Sequence, residues 1–296
     1  MSWITLALLA NIFFGLANIF DKFFNSKKIK SVYTFAILVN LIYLGFVVVI
    51  TFILRDTFTA GLPAVYSSIA GLLWFFMWIF FWKAMQTGEA SRVSAIFFSQ
   101  PLFSAVIAVL FLGETLNSQK WLGILFIVIG AFLSSWEGKG NKNGFKKAYV
   151  FAIIAALLSA LGNAVSKYAM SDLPSLTVNS IAFYATIPLY LVLLRNEEVF
   201  KEVKENLLNK KVMFQFLIRG TIGYAGIIAF MLSLGQGKYS LVSAISGTQP
   251  LFVLILSVLF TVLMPKTIHE EISRKSLMEK SLAITLIVVG AMMISF

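Results

Sequence analysis

Val93-Ser94-Ala95-Ile96, followed after three residues by Gln100-Pro101-Leu102-Phe103, recurs as Val242-Ser243-Ala244-Ile245 and Gln249-Pro250-Leu251-Phe252. The spacing is identical over eleven residues and the copies are 149 residues apart, so the chain contains itself twice. A second pair supports the same division: Asn18 and Lys22 are matched by Asn163 and Lys167, four residues apart in both places. Around these anchors lie ten apolar stretches of the roughly 20 residues that a helix needs to cross a bilayer. They run approximately from Trp3 to Phe24, Val32 to Leu54, Ala64 to Gln86, Ser91 to Leu112 and Ser118 to Trp136, then from Lys147 to Ala169, Pro174 to Arg195, Val212 to Leu234, Tyr239 to Leu263 and Ser276 to Phe296. A unit of five spans is odd, and its two copies must therefore cross the membrane in opposite senses. The lysine-rich turn Lys27–Lys30 corresponds to the lysine-free turn Ser171–Ser175, as such an inversion requires.

Composition leads to the same class. Of 296 residues 59% are hydrophobic and 12% charged, against about 25% charged in a soluble domain. A globular fold of this size cannot hide that much apolar surface, and the remainder needs a bilayer as solvent. The expected fold is thus an all-α membrane protein with ten transmembrane helices in two inverted five-helix repeats. Residues 1–137 would form the first repeat, 138–146 a polar cytoplasmic linker around Gly138-Lys139-Gly140-Asn141-Lys142, and 147–296 the second repeat. The loop from Asn196 to Lys211 carries Val199, Val203 and Leu207 at four-residue spacing, which fits a helix lying at the interface or a solvated loop helix. The first span has no basic stretch before it, its lysines Lys22, Lys27, Lys28 and Lys30 coming late, so it reads as a retained helix and not a signal peptide.

The charge of +11 has a topological reading. Of 24 lysines and arginines, 19 fall in the loops after spans one, three, five, seven and nine. Four lie on the opposite side (Arg55, Lys120, Lys167 and Lys238), and Arg219 stands beside the basic set. Basic loops stay cytoplasmic, so the expectation is a multi-pass protein of the cytoplasmic membrane with both termini external. This distribution accounts for the basic residues without nucleic acid. No cysteine is present, which excludes thiolate metal sites and cysteine nucleophiles, and His269 is the single histidine. His269-Glu270-Glu271 lacks the second histidine of a metalloprotease, and a serine protease within the membrane would need its histidine inside a span. No metal or cofactor is expected.

The run Ala84-Met85-Gln86-Thr87-Gly88-Glu89-Ala90-Ser91, then the Pro101 segment, Leu112-Gly113-Glu114-Thr115-Leu116, Trp121-Leu122-Gly123 and Gly130-Ala131-Phe132, resembles the drug/metabolite transporter superfamily, and within it the ten-span EamA-type members. The second half departs from the pattern, with Met264-Pro265-Lys266 where the first has Gly113-Glu114. The resemblance implies a secondary transporter with a substrate cavity at mid-membrane between the repeats, opened alternately to the two sides. The family's cargoes include amino acids, quaternary amines, nucleotide sugars and other small metabolites.

Polar side chains in a bilayer need a helix partner or a function. Asn18 and Asn163 could line the cavity or bond between helices. Gln100-Pro101 and Gln249-Pro250 mark helix interruptions at matched positions, the usual pointer to a transport site. Trp74 and Trp78 share a helix face and could stack on a cargo or hold a cation, Trp82 being nearer the interface. In the counterpart span, Gly220, Gly223 and Gly226 suggest close packing, with Tyr224 as a hydrogen-bonding group. Lys22 and Lys167 are candidates for attracting an anion, and Asp21, Glu89 and Glu114 for taking up a proton, although each lies near a span end where snorkelling is the ordinary reading. Because the deep candidates are amides, hydroxyls and rings, an amino acid or small amine is expected ahead of an anionic metabolite such as a nucleotide sugar. A passive channel and a membrane-embedded enzyme are the readings from other classes. Expected partners are the lipid bilayer and the cargo, in a monomer or homodimer; protons are a candidate coupling ion, which the sequence leaves undecided because no carboxylate sits at mid-span.

Overall fold

The computed structural model describes residues 1–27, 29–88, 90–111, 115, 117–135, 142–263 and 274–295. These residues form thirteen α-helices and a 3-10 turn at Arg55–Thr57, with no strand among them. The first half comprises α1 (Trp3–Lys27), α2 (Val32–Ile53), α3 (Leu62–Thr87), α4 (Ala90–Phe97), α5 (Gln100–Phe111) and α6 (Ser118–Ser135). The second comprises α7 (Lys142–Ala169), α8 (Ser175–Leu193), α9 (Glu197–Leu208), α10 (Lys210–Gln236), α11 (Tyr239–Ser246), α12 (Gln249–Leu263) and α13 (Arg274–Ser295). Six helices, namely α1, α2, α3, α7, α8 and α10, are each long and apolar enough to cross a membrane unaided. The remaining four crossings are α6, α13 and the broken pairs α4–α5 and α11–α12. All backbone polar groups of a lipid-exposed span must be satisfied internally, which is why helices carry the whole fold.

Local signals set the helix starts. The Ser31 side chain accepts from the Tyr33 N–H at the head of α2, Asn196 accepts from Val199 N–H at α9, and Asn209 from Val212 N–H at α10. Pro63 enters the first turn of α3 after Gly61, whose φ of 134° suits glycine. Two expectations shift. The segment expected as linker is helical from Lys142 onward, because α7 begins there. Between Asn196 and Lys211, α9 buries Val199 and Val203 against α2 and α10 and leaves Phe200 and Leu208 exposed. Its Glu202 carboxylate accepts from the backbone N–H groups of Lys30 and Ser31 and from the Thr34 hydroxyl, tying α9 to the start of α2. Glu89, Glu114, the joint 136–141 and His269 lie outside the described residues.

Packing is two-fold. α1 packs on α10 and α3 on α7, which is one contact made twice, since α1 matches α7 and α3 matches α10 in the repeat. Likewise α2 on α10 is repeated as α8 on α3, and α5 on α7 as α12 on α1, while α6 and α13 pack on each other. The four central helices α1, α3, α7 and α10 thus bind one half to the other. The core centred on Phe35, Leu38, Phe81, Trp82, Met85 and Phe216 fills the space between α2, α3 and α10. Outward faces carry side chains such as Phe52, 73% exposed, and Leu110, as lipid contact demands.

Small residues allow the closest approaches. A Cβ at Gly71 of α3 would collide with the Ala182 carbonyl oxygen of α8, and one at Gly290 of α13 with the Gly123 carbonyl oxygen of α6. Backbone cannot yield as a side-chain end can. Gly71→Ala is therefore expected to lower stability by about 1–3 kcal/mol. Gly45→Ala, at a helical position with nothing within 4 Å of the added methyl, should be neutral or stabilising by up to about 1 kcal/mol. Thermal unfolding of the two variants in detergent checks the contrast.

Candidate functional site

The two helix breaks face each other across the interface of the halves. α4 stops at Phe97 and α5 starts at Gln100, with Pro101 in its first turn, where a missing N–H costs nothing. α11 stops at Ser246 and α12 starts at Gln249. The freed carbonyls are satisfied locally. Ile96 O accepts from the Ser99 N–H at 3.1 Å and the Ser99 hydroxyl at 2.7 Å. Ile245 O accepts from the Thr248 N–H and hydroxyl, and also from the Asn11 amide of α1 at 2.7 Å. Asn11 therefore seals the second break from the other half, a role the sequence reading missed because its neighbours carry no motif.

Between the breaks is a cavity of about 110 Å³, comparable with engineered cavities of roughly 150 Å³ that admit benzene. Five amides line it (Asn18, Asn163, Asn179, Gln100 and Gln249), with the hydroxyls of Ser159 and Ser246 and a wall of rings from Phe14, Trp74, Trp78, Phe81, Phe97 and Phe230. Among the described residues no charged side chain lines it. Six of the seven residues expected at a substrate site are thus brought together here. The seventh, Tyr224, is buried behind the wall, where its hydroxyl accepts from the Asn179 amide at 3.1 Å and its ring stacks on Phe46. Asn179, Ser159 and Ser246 were not anticipated, since single polar residues in apolar spans have no spacing signal.

The matched amides differ in what they bind. Asn163 accepts from the Trp74 indole at 3.0 Å and so both lines the cavity and joins α3 to α7. Asn18 is buried, faces the cavity, and its Nδ2 has no hydrogen-bond partner. A buried donor without an acceptor is costly and rare, and a ligand acceptor in the cavity would satisfy this one. Gln100 reaches Ser104, which also takes hydrogen bonds from Tyr239 and Ser243 across the halves.

Charged groups stand outside this lining. Lys167 donates to the carbonyls of Leu234 at 2.8 Å and Gly237 at 2.9 Å, capping the end of α10. Lys22 follows Asp21 along α1, and its side chain lies outside the described residues. Asp21 itself corrects the expectation of a headgroup-level acid, for it is 0% exposed and Arg219 1%. The carboxylate accepts two hydrogen bonds from the Arg219 guanidinium, at 2.6 Å and 2.7 Å, and one from the Trp82 indole at 3.1 Å. Arg219 also donates to the Tyr43 hydroxyl and lies 5.8 Å from the Phe35 ring centroid. The signal was present: an arginine seven residues inside the span from Val212 is a functional candidate by default, and setting it beside the basic loops hid it.

Removing one partner of such a pair leaves the other buried and uncompensated. Arg219→Leu is expected to cost about 3–5 kcal/mol, whereas Asn18→Ala, with no amide hydrogen bond to lose at Nδ2, should cost less than the mean interhelical value of about 0.6 kcal/mol. Unfolding in mixed detergent micelles measures both.

The EamA-like transporter family matches the chain over residues 1–136 and 146–296. The chain is 33% identical over 142 residues, 45% of its own length and 95% of the relative's, to a Sinorhizobium sp. protein described as an uncharacterized transporter in the cobO 3′ region. It is 26% identical over 201 residues to a putative sugar uptake protein of Lactobacillus johnsonii, a match covering 64% of this chain and 63% of that one. A solved crystal structure aligns with 98% of the chain and 95% of its own at a TM-score of 0.63 and 16% identity, a likeness of fold alone. A helical membrane fold, paired helix breaks around a cavity and a family match in both halves agree: the chain belongs to the EamA-like transporter family and is a multi-span membrane transporter.

Proposed function

We propose that the chain is a secondary carrier, without enzymatic activity, for a small zwitterionic or cationic metabolite of the amino-acid or small-amine class, moved by alternating access. The observation that carries this reading is the charge-free cavity at which both helix breaks meet. The first residues of α5 and α12, Gln100 and Gln249, line it, and so do the last residues of α4 and α11, Phe97 and Ser246. Helix N-termini favour a carboxylate and C-terminal carbonyls an ammonium, so broken helices offer a zwitterion both partial charges without a buried ion. The indoles of Trp74 and Trp78 add ring faces for a cation or an apolar side chain. Nothing in the lining offsets the desolvation of a phosphate, and the volume is too small for a nucleotide.

A neutral sugar is the second reading, favoured by amides and rings in an uncharged cavity and by the relative described as a putative sugar uptake protein. Proteoliposome counterflow separates these readings. Saturable exchange inhibited by small amino acids or amines is the expected result, and inhibition by hexoses alone moves the sugar to first place. Inhibition by nucleotide sugars, or flux without saturation or counterflow, overturns both. Trp78→Ala and Gln249→Ala should each lower exchange about 5- to 10-fold, equivalent to roughly 1–1.4 kcal/mol of stacking or hydrogen bonding, with little change in melting temperature.

The orientation belongs to the same proposal: basic loops in the cytoplasm and both termini outside. A reporter inserted in the 138–146 linker is expected to read cytoplasmic, and a periplasmic or external reading reverses the assignment.

A further inference from the structure

Four buried residues form a polar cluster on one side of the cavity. Asn18 lines the cavity, and Asp21 follows one turn later on α1, toward the α1–α2 connection. Trp78 lines it, and Trp82 follows one turn later on α3, toward the same face. Ile227 lines it, and Arg219 precedes it by two turns on α10, about 12 Å along the axis. Tyr43 comes from α2, which starts at that face. The Asp21–Arg219 pair therefore stands between the cavity and the face that holds the α1–α2 connection, and it joins α1 of the first half to α10 of the second. Trp82 and Tyr43, both from the first half, hydrogen-bond one member each.

The repeat supplies the comparison. The spacing that relates Asn18 to Asn163 and Lys22 to Lys167 relates Asp21 to Ser166, and the spacing that relates Gln100 to Gln249 and Gly88 to Gly237 relates Arg219 to Ala70. The equivalent place on the opposite side of the cavity thus has a serine, whose hydroxyl bonds within its own helix to Asn163 O, and an alanine. One turn nearer the middle, α3 and α7 are joined by the Trp74–Asn163 hydrogen bond between two residues that line the cavity, beside Gly162, which leaves room for the indole. On the α1–α2 side a buried, bidentate ion pair crosses the seam between the halves, and at the equivalent place on the other side the described residues have no such pair.

We infer that Asp21, Arg219, Tyr43 and Trp82 form the gate on the α1–α2 side, an ionic latch between the halves that must part for cargo to pass to that face, and that its absence from the opposite side makes the two closed states unequal. Occupancy of the cavity reaches the latch along a short path, because Trp78 stacks on Trp82 with ring centroids 5.3 Å apart and Trp82 donates to Asp21. The inference rests on alternating access but is indifferent to the class of cargo.

The test uses the absence of cysteine from the chain. Ser159→Cys places one thiol on the cavity wall, and a membrane-impermeant maleimide applied to either side of oriented vesicles reads which side the cavity faces. The double substitution Asp21→Asn with Arg219→Gln removes both charges together, so neither is left buried alone. It should raise labelling from the α1–α2 face about tenfold or more, a shift of roughly 1.4 kcal/mol between states, and lower labelling from the other face. Tyr43→Phe keeps the ring and the ion pair while removing the hydroxyl that Arg219 meets, and Trp82→Phe keeps an aromatic ring and the ion pair while removing the indole N–H that Asp21 accepts. They should shift labelling the same way by about two- to fivefold, and they carry the test if the double variant fails to fold. Unchanged sidedness of labelling in the folded variants would overturn the latch and leave the cluster a packing element, whatever cargo the carrier proves to move.

Discussion

Hydrocarbon offers no partner to an N–H, a carbonyl or a charge, and nearly every polar feature of this molecule is an answer to that constraint. Long helices satisfy their own backbones. Where the chain does break, at Phe98–Ser99 and at Gly247–Thr248, the freed carbonyls are met by the adjacent hydroxyls of Ser99 and Thr248 and, on one side, by Asn11. Breaks so treated can exist only in the interior, and the interior of this fold is the seam between its halves. The cavity is located by the same rule that forbids irregular backbone elsewhere.

Asp21 and Arg219 are the most expensive groups in that seam. Burying an ion pair commonly contributes little net stability compared with apolar residues of the same volume. Its geometry is nonetheless complete: both carboxylate oxygens are used, and the guanidinium contacts the Tyr43 hydroxyl as well as the acid. A stability role alone would be served as well by leucine and methionine. A contact that must open and re-form has a different requirement, since two charges separated into a wetted crevice are rehydrated while two apolar surfaces are not. The pair suits a boundary between bodies that move.

The inverted repeat makes the molecule nearly symmetric in its contacts, but the side chains differ, and three of the differences lie on α1 and α3 of the first half. Asn11 is matched by Ala156, Asp21 by Ser166 and Trp78 by Ile227 at the repeat spacing. Each difference loads polar or aromatic character onto the first-half copy of α1 and α3. In the alternating-access proposal, backbone symmetry would relate the two conformations and the unequal side chains would give them different energies.

Much of this was legible in the chain before any coordinates. Hydropathy gives the spans because the bilayer reads only length and apolarity. The Gln-Pro segments indicate the breaks because proline removes a donor wherever it sits. Asn18, Asn163, Gln100, Gln249, Trp74 and Trp78 could be named because they occur at matched or periodic positions. Tertiary structure was needed for everything decided by which helix lies beside which. Asn18 Nδ2 has no partner among the described residues while its repeat mate Asn163 holds the Trp74 indole, because the position on α10 that matches Trp74 is Gly223. Asp21 and Arg219 are 198 residues apart. Asp21 alone resembles a charge near the end of a span and Arg219 a lone charge inside one, and only the crossing of α1 over α10 joins them into one buried pair, because burial is a property of neighbours and not of sequence position.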